Sequence, residues 1–283
     1  MTKFSHALKL FYSRLFLLYF RKFTLDIGKW RLFEVSSRFL VAPIGEELFV
    51  RLSDTSDAVE VAIARHGALE PETVRAFLLL LSPQLVVFDV GANIGQYTLL
   101  ASRRVVAVHA FEPTPRTVEK LRVNIALNNL SNVTVNQVAV SDRTGDAILF
   151  TDPKNPDTNS IMGGNENAPS ISVPTITLDD YATSHALIPD LIKMDIEGAE
   201  MLALRGATRL LNEENAPLIL MEINPAALRQ SGSSPDEILT LLASLGYTYH
   251  PLASYGHGQY GNGIAMKPSH RQRFAAIATL TAR

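Results

Sequence analysis

Residues 86–98 read VVFDVGANIGQYT: an apolar β-type run, two glycines four residues apart (Gly91 and Gly95), then a helical pattern. No other stretch constrains the fold as tightly, because it is a strand, a tight turn and a helix start in thirteen residues. Gly91 and Gly95 let the backbone approach a ligand where a Cβ would clash, and the helix beyond begins with unpaired N–H groups suited to a carboxylate or phosphate. A nucleotide-like ligand follows from that combination.

The next apolar run supports it. Residues 105–111 form a second buried-type strand that ends in Glu112 and Pro113. An acid at a strand end can hold ribose hydroxyls. Asp89 and Glu112 are about twenty residues apart, as a strand-helix-strand unit requires between a glycine turn and a ribose carboxylate. A dinucleotide site would read G-x-G-x-x-G, whereas this chain has Gly91-Ala92-Asn93-Ile94-Gly95 after Asp89. The stretch is more similar to the S-adenosylmethionine (SAM) loop of class I methyltransferases, D/E-x-G-x-G-x-G, with Asn93 in place of the middle glycine.

A second informative stretch is the strand at residues 191–196, which continues through Glu197-Gly198-Ala199-Glu200 into a helix reaching residue 211. With a side-chain period of two, Lys193, Asp195 and Glu197 point to one face and converge at the strand's carboxyl end. Buried charges without partners cost several kcal/mol, so three ionisable groups there indicate either a salt-bridge network or a site, and a site is the expectation. A further apolar strand, residues 217–223, carries Glu222 near its end, the edge where open α/β sheets collect ligands.

Around these two stretches the chain alternates in α/β fashion. Residues 33–52 show short β-type runs around Pro43-Ile44-Gly45-Glu46-Glu47 and are expected to form a hairpin. Short helices are expected at 58–66 and from Pro71 to Leu81, where Ser82-Pro83 stops the second. A helix over 115–129, a third strand over 133–140 and a strand over 147–150 follow. The end of the third strand belongs beside an adenine ring, with Ala139 backbone groups or Asp142 as contacts. Residues 151–170 are too polar and too broken by proline and glycine for a core element; this long loop is read as a substrate lid or a surface excursion, with Asn159 and Ser160 as the preferred contacts. Ser234-Pro235-Asp236-Glu237 starts a helix ended by Gly246, and two last β-type runs, 247–249 and 263–266, could close the sheet as a hairpin.

Composition bounds the partners. The net charge of −2 argues against bulk nucleic-acid binding, and the absence of cysteine removes disulfides, thiolate metal sites and a cysteine nucleophile. The seven histidines form no metal pattern, and His109, inside a strand, is expected to be a core residue. Residues 1–38 nevertheless carry a charge of +6 and the remainder −8. The longest uncharged run among residues 4–23, residues 15–20, is far short of the ~20 residues that span a bilayer, and Arg14 interrupts any signal-peptide core. Residues 3–23 are therefore expected to form an amphipathic helix, with Lys3, Arg14 and Arg21 as one basic stripe, that lies on an anionic membrane surface or packs on the core. The expected setting is cytoplasmic, with peripheral contact at the inner face of a membrane.

Five ordered segments, Leu69-Glu70-Pro71-Glu72, residues 88–98, Phe111-Glu112-Pro113, residues 175–181 (TITLDDY) and residues 192–200 (IKMDIEGAE), together resemble the FkbM family of SAM-dependent methyltransferases. The resemblance covers roughly residues 66–250, with 1–65 as an N-terminal helical and hairpin extension to a domain at 66–283. It implies a Rossmann-like class I α/β fold, a seven-stranded mostly parallel sheet with helices on both faces. It implies O-methylation of a sugar, glycan or natural-product hydroxyl. Cofactor contacts would fall on Asp89, Gly91, Asn93, Gly95, Tyr97, Thr98, Glu112, Pro113, Ala139 and Asp142. Asp195 or Glu197 would be the base, with Lys193 orienting or neutralising and Glu222 as second carboxylate; binding the cofactor's amino group and holding a divalent metal are the rival roles for these acids, although no required metal is expected. The competing functions are a nicotinamide-dependent oxidoreductase and a cofactor-binding module without catalysis.

Overall fold

In the computed structural model, residues 33–36, 39–52, 57–151, 160–161, 169–252 and 260–273 are described. The proposed amphipathic helix at 3–23 and Asn159 lie outside them.

The central sheet has seven strands. Four parallel pairings join β11 (Leu218–Ile223), β10 (Leu191–Met194), β4 (Val86–Val90), β5 (Ala107–Phe111) and β6 (Val133–Asn136) in that spatial order. β13 (Gly261–Met266) is inserted antiparallel beside β11, and β12 (Thr248–Pro251) pairs antiparallel outside it. This is the Rossmann-like class I methyltransferase architecture, including the closing hairpin. The central strands are buried on both faces, so β4, β10 and β11 read as nearly continuous apolar runs rather than alternating ones.

Two cores sandwich the sheet. On one face Val87, Leu191, Leu218, Leu220 and Ile264 pack against α1 (Ala58–His66), α2 (Pro71–Leu80) and α3 (Gln96–Ser102), and also against β2 (Phe39–Gly45) and β3 (Leu48–Leu52). On the other, Phe88, Val90, Ile192, Met194, Ile219 and Met221 meet α5 (Leu178–Ser184), α6 (Glu200–Arg205), α7 (Thr208–Asn212), α8 (Pro225–Gln230) and α9 (Pro235–Ser244).

The expected hairpin at 33–52 exists and gains a third strand, β1 (Phe33–Ser36), in an antiparallel sheet. Its β3 edge is covered by α4 (Pro115–Leu127) and its cap: Asn124 accepts from Arg51 N and Asn128 from Phe49 N, both at 2.8 Å, while Asn128 Nδ2 donates to Phe49 O at 2.7 Å. Two amides four residues apart on one helical face thus stand in for a neighbouring strand and satisfy groups that an open edge would leave unpaired. Lys120 on the same helix bonds Asp57 and Glu60 of the α1 region at 2.9 and 2.7 Å.

Three sequence expectations change. The third strand splits: β6 stays in the main sheet, while β7 (Ala139–Val140) leaves it to pair with β9 (Ser170–Ile176), whose other edge carries β8 (Gly145–Phe150). The helix read as running to residue 211 breaks into α6 and α7 at Gly206, where a Cβ would lie 2.0 Å from Ser141 O, so the backbones touch there. The strand at 191–196 ends at Met194, because Glu197 (φ 52) and Gly198 (φ 96) turn the chain in the left-handed region.

Candidate functional site

Gly91 leaves β4 with φ 79, and a Cβ there would fall 1.8 Å from Asp195 O. Glycine is required at this point because the loops after β4 and β10 touch backbone to backbone. The backbone N–H groups of Gly91 and Ala92 both donate to Phe111 O at 3.0 Å, fastening the turn to the end of β5. Asn93 adopts φ 50, which asparagine tolerates better than other side chains, and this is how the loop accommodates it where a glycine stands in the methyltransferase pattern.

These loops line a cleft with about 620 Å3 of empty space between its walls, adjoining open solvent included. Val90, Phe111, Val138, Ala139, Val140, Leu149 and Ile161 supply apolar walls; Glu112 and Thr114, the Gly91 and Asn93 loop, and Asp195 and Glu197 supply the polar lining. Glu112 is 7% exposed, and its two carboxylate oxygens accept from Asn93 N at 3.1 Å and Thr114 N at 2.9 Å. The Thr114 side chain bonds the same carboxylate. Burial pushes the Glu112 carboxyl up, against the lowering effect of those N–H groups.

Ser160 also lines the cleft. It returns from the long loop to bridge Phe150, and its Oγ donates to Glu197 O at 2.9 Å. Ser160 is thereby tied to the turn that carries Glu197. Pro113 and Ala139 line the cleft. Glu200, quoted in sequence only as the end of a motif, is buried within that turn: one oxygen accepts from Ile196 N at 3.1 Å and the other receives no hydrogen bond.

Other expected cofactor contacts lie elsewhere. Asp89 is fully buried on the opposite sheet face from Val90, where Thr98 donates to its Oδ2 at 2.5 Å and Lys193 Nζ stands 4.0 Å from its Oδ1. Tyr97 lies on that face too, edge-on to Phe77, with Lys193 Nζ 4.7 Å from its ring centroid. Gly95 is the N-cap of α3, and a Cβ there would meet Leu121 Cδ1 at 2.5 Å, so its role is helix packing. Asp142 is exposed and does not line the cleft. The cause is shared: alternation along β4 turns Asp89 away from the cleft, and the helix after Gly95 carries Tyr97 and Thr98 with it.

Among the expected catalytic residues, Lys193 and Asp195 do meet, at 3.5 Å between Nζ and Oδ2. Glu197 lies beyond the strand, in the left-handed turn, and lines the cleft together with Asp195. Register aligns Asp89, Lys193, Glu222 and Asn262 as a polar row on one sheet face: Lys193 pairs with Asp89 and with Leu220, two residues before Glu222, and Glu222 pairs with Asn262. Glu70, from the turn before α2, joins it by accepting from Asn262 Nδ2 at 2.8 Å. Sequence reasoning missed Glu70 and Asn262, although Glu70 stood inside a motif already noticed.

Lys193 is 6% exposed; burial works against its charge, but Asp195, Asp89 and Glu70 outweigh that and hold its pKa up. Burial pushes Glu70 up, with Asp195 adding to it. Glu222 is pushed up to about 8, first by burial and then by Asp195, Glu70, Glu197 and Glu200. Among the described residues no group of three or more His, Asp or Glu is arranged to hold a metal ion. His109, expected in the core, is half-buried, with its Nδ1 2.7 Å from the Tyr181 hydroxyl.

The family model described as Methyltransferase FkbM domain matches residues 89–249. The hexuronic acid methyltransferase AglP of Haloferax volcanii is 27% identical over 178 residues, covering 62% of this chain and 68% of that protein. The 31-O-demethyl-FK506 methyltransferase FkbM of Streptomyces tacrolimicus is 48% identical over 67 residues, 23% of this chain and 25% of that protein. A solved methyltransferase FkbM from Methylobacillus flagellatus aligns with a TM-score of 0.44 at 21% identity, covering 71% of this chain and 45% of the other.

Proposed function

The chain belongs to the FkbM methyltransferase family, and on that premise we propose that it moves the methyl group of S-adenosylmethionine to a hydroxyl of a sugar, glycan or other hydroxylated natural product. The observation that carries this reading is the make-up of the cleft: apolar walls suited to an adenine ring, a buried Glu112 suited to a ribose diol, and two acids, Asp195 and Glu197, suited to the neighbourhood of a sulfonium. The names of two relatives, one for a hexuronic acid and one for an O-demethylated natural product, support the acceptor class.

When bound, SAM supplies an electrophilic methyl group on a positively charged sulfur. The acceptor oxygen forms the new bond to carbon while the carbon–sulfur bond breaks toward sulfur, so attacking charge and leaving charge cancel. Holding the partners in line in a dry site accounts for much of the acceleration. The hydroxyl proton must still leave, and a carboxylate at the cleft end can take it. The role is assigned to Asp195, which lines the cleft and stands 3.5 Å from Lys193 Nζ. Glu222 is the second carboxylate, able to hold a proton at neutral pH.

Methyl-labelled SAM incubated with a panel of glycans and hydroxylated small molecules tests the reading. Asp195→Asn and Glu197→Gln are expected to lower turnover more than SAM affinity, and activity is expected to survive exhaustive EDTA. A residue whose substitution abolishes SAM binding but leaves single-turnover chemistry normal belongs to the cofactor site instead.

Docking of residues 3–23, through Lys3, Arg14 and Arg21, on an anionic membrane is part of the same proposal. Each cation near such a surface adds about 1 kcal/mol. The full-length protein is expected to float with anionic but not neutral liposomes, and a protein beginning at Val35 with neither. Equal behaviour of the two proteins overturns it.

A further inference from the structure

Glu197 adopts φ 52 and Gly198 φ 96, so two successive residues of the turn after β10 lie in the left-handed region. Glycine enters that region freely, whereas glutamate does so at a cost. A side chain kept in such a conformation is held there by its surroundings, and this one belongs to an acid that lines the cleft. The hold runs through the whole turn. Asp195 N donates to Val90 O at 3.0 Å, and Asp195 O lies against Gly91. Ile196 N donates to Glu200 Oε1 at 3.1 Å, and Ala199 N donates to Ile196 O at 3.3 Å. Glu197 O accepts from Ser160 Oγ at 2.9 Å, and Gly198 O accepts from Ser231 Oγ at 2.7 Å. A Cβ on Gly198 would meet Ala227 O at 2.7 Å, so α8 closes the turn from behind.

Glu200 is the charged member of this set. It is 2% exposed and does not line the cleft. Its Oε1 grips the peptide between Asp195 and Ile196, whose carbonyl end is the one pressed against Gly91. Lys193 holds the Asp195 side chain from the sheet, 3.5 Å from Oδ2, and offsets part of its charge; Glu200 holds the backbone that carries it. Burial disfavours a carboxylate here and pushes the Glu200 carboxyl up, with Asp195 adding to it and the N–H groups of Glu200 itself, Ile196 and Gly198 working against it. An acid reaching back from a helix start to an earlier N–H resembles a capping box, which on its own would affect stability alone. This bond differs in what it fixes, because Ile196 separates the two acids that line the cleft.

We propose that Glu200 is a positioning residue for the cleft: through the Asp195–Ile196 peptide it holds Asp195 and Glu197 in the orientation in which both line the cleft, and Ser231 fixes the far end of the same turn. The inference rests on the reading that the cleft binds SAM. A hydrogen bond to a charged group, lost from such a turn, changes affinity by about tenfold.

Calorimetric titration of the full chain with SAM, with the denaturant midpoint of each variant measured beside it, tests it. Glu200→Ala leaves the Ile196 N–H without its acceptor and is expected to weaken SAM about tenfold in protein that is still folded. Glu200→Gln keeps an oxygen for that N–H and is expected to stay within about threefold of wild type, since the role is to hold a peptide rather than to supply charge. Ser231→Ala removes the hydroxyl that donates to Gly198 O and is expected to weaken SAM about threefold; it decides the matter if Glu200→Ala does not fold. Wild-type SAM affinity in folded Glu200→Ala, whatever its midpoint, overturns the inference and leaves Glu200 a helix cap. A Glu200→Gln protein as weak as Glu200→Ala overturns it too, as does wild-type affinity in Ser231→Ala where Glu200→Ala is unfolded. If wild type does not bind SAM, the SAM reading itself has failed and the inference falls with it.

Discussion

The Cβ that Gly91 lacks would lie 1.8 Å from the carbonyl oxygen of Asp195, so the loop after β4 and the loop after β10 meet with no room between their backbones. One glycine thereby sets the distance between the turn after β4 and Asp195, the carboxylate proposed to take the proton. Gly91→Ala is expected to destabilise the fold by at least about 2 kcal/mol, combining left-handed strain with a backbone collision, and to lower SAM affinity. Gly232, at φ 75 with open space around its missing Cβ, is the control: Gly232→Ala carries only the conformational cost, about 1 kcal/mol. Denaturant midpoints compare the two, and equal losses would mean that the loop contact contributes nothing.

Lys193 is expected to be a structural as well as a chemical residue. Lys193→Met leaves Asp89 buried without its cation, and breaking a buried pair from one side costs about 3 kcal/mol. Asp89→Asn in the same chain is expected to recover at least about 1 kcal/mol of that loss. A double-mutant cycle by chemical denaturation measures the coupling, and strict additivity would show that the two groups do not interact.

Much of this site was legible in sequence, and the gaps have physical causes. The glycine turn, Glu112 at the end of β5 and the helix starts at Pro71 and Pro235 depend on local rules, and each stands where it was read. β9 was missed because Pro174 and a polar loop mask its alternation. Tyr97 and Thr98 were placed on the cofactor because they follow the motif, whereas helix periodicity turns them toward Asp89 and Lys193. The Glu70 to Asn262 bond spans 192 residues and depends on β13 inserting beside β11, which no local pattern encodes.

Glu222 makes a pH signature. Its carboxyl is pushed up to about 8 by burial and by Asp195, Glu70, Glu197 and Glu200, with Tyr249 also facing it. It is protonated at pH 7 and ionises through pH 8, so turnover is expected to rise across that range if its carboxylate form receives the proton. Stability runs the other way. A carboxyl raised from 4.5 to about 8 in the folded state contributes stability that is present below pH 4.5 and is lost as pH rises through about 8. Glu222→Gln is expected to remove the alkaline rise in turnover and to flatten the decline in stability; an unchanged profile in both would assign the proton to another group.

The central claim is that the cleft above β4 and β5 holds SAM with Glu112 on the ribose, and the most direct measurement is calorimetric titration of wild type and Glu112→Ala with SAM. Wild type is expected to bind one equivalent. Removing a bidentate charged acceptor is expected to weaken binding by about 2–3 kcal/mol, roughly thirty- to hundredfold, in a protein whose circular dichroism remains that of a folded chain. No heat of binding with wild type, or equal SAM affinity in wild type and folded Glu112→Ala, would contradict the account.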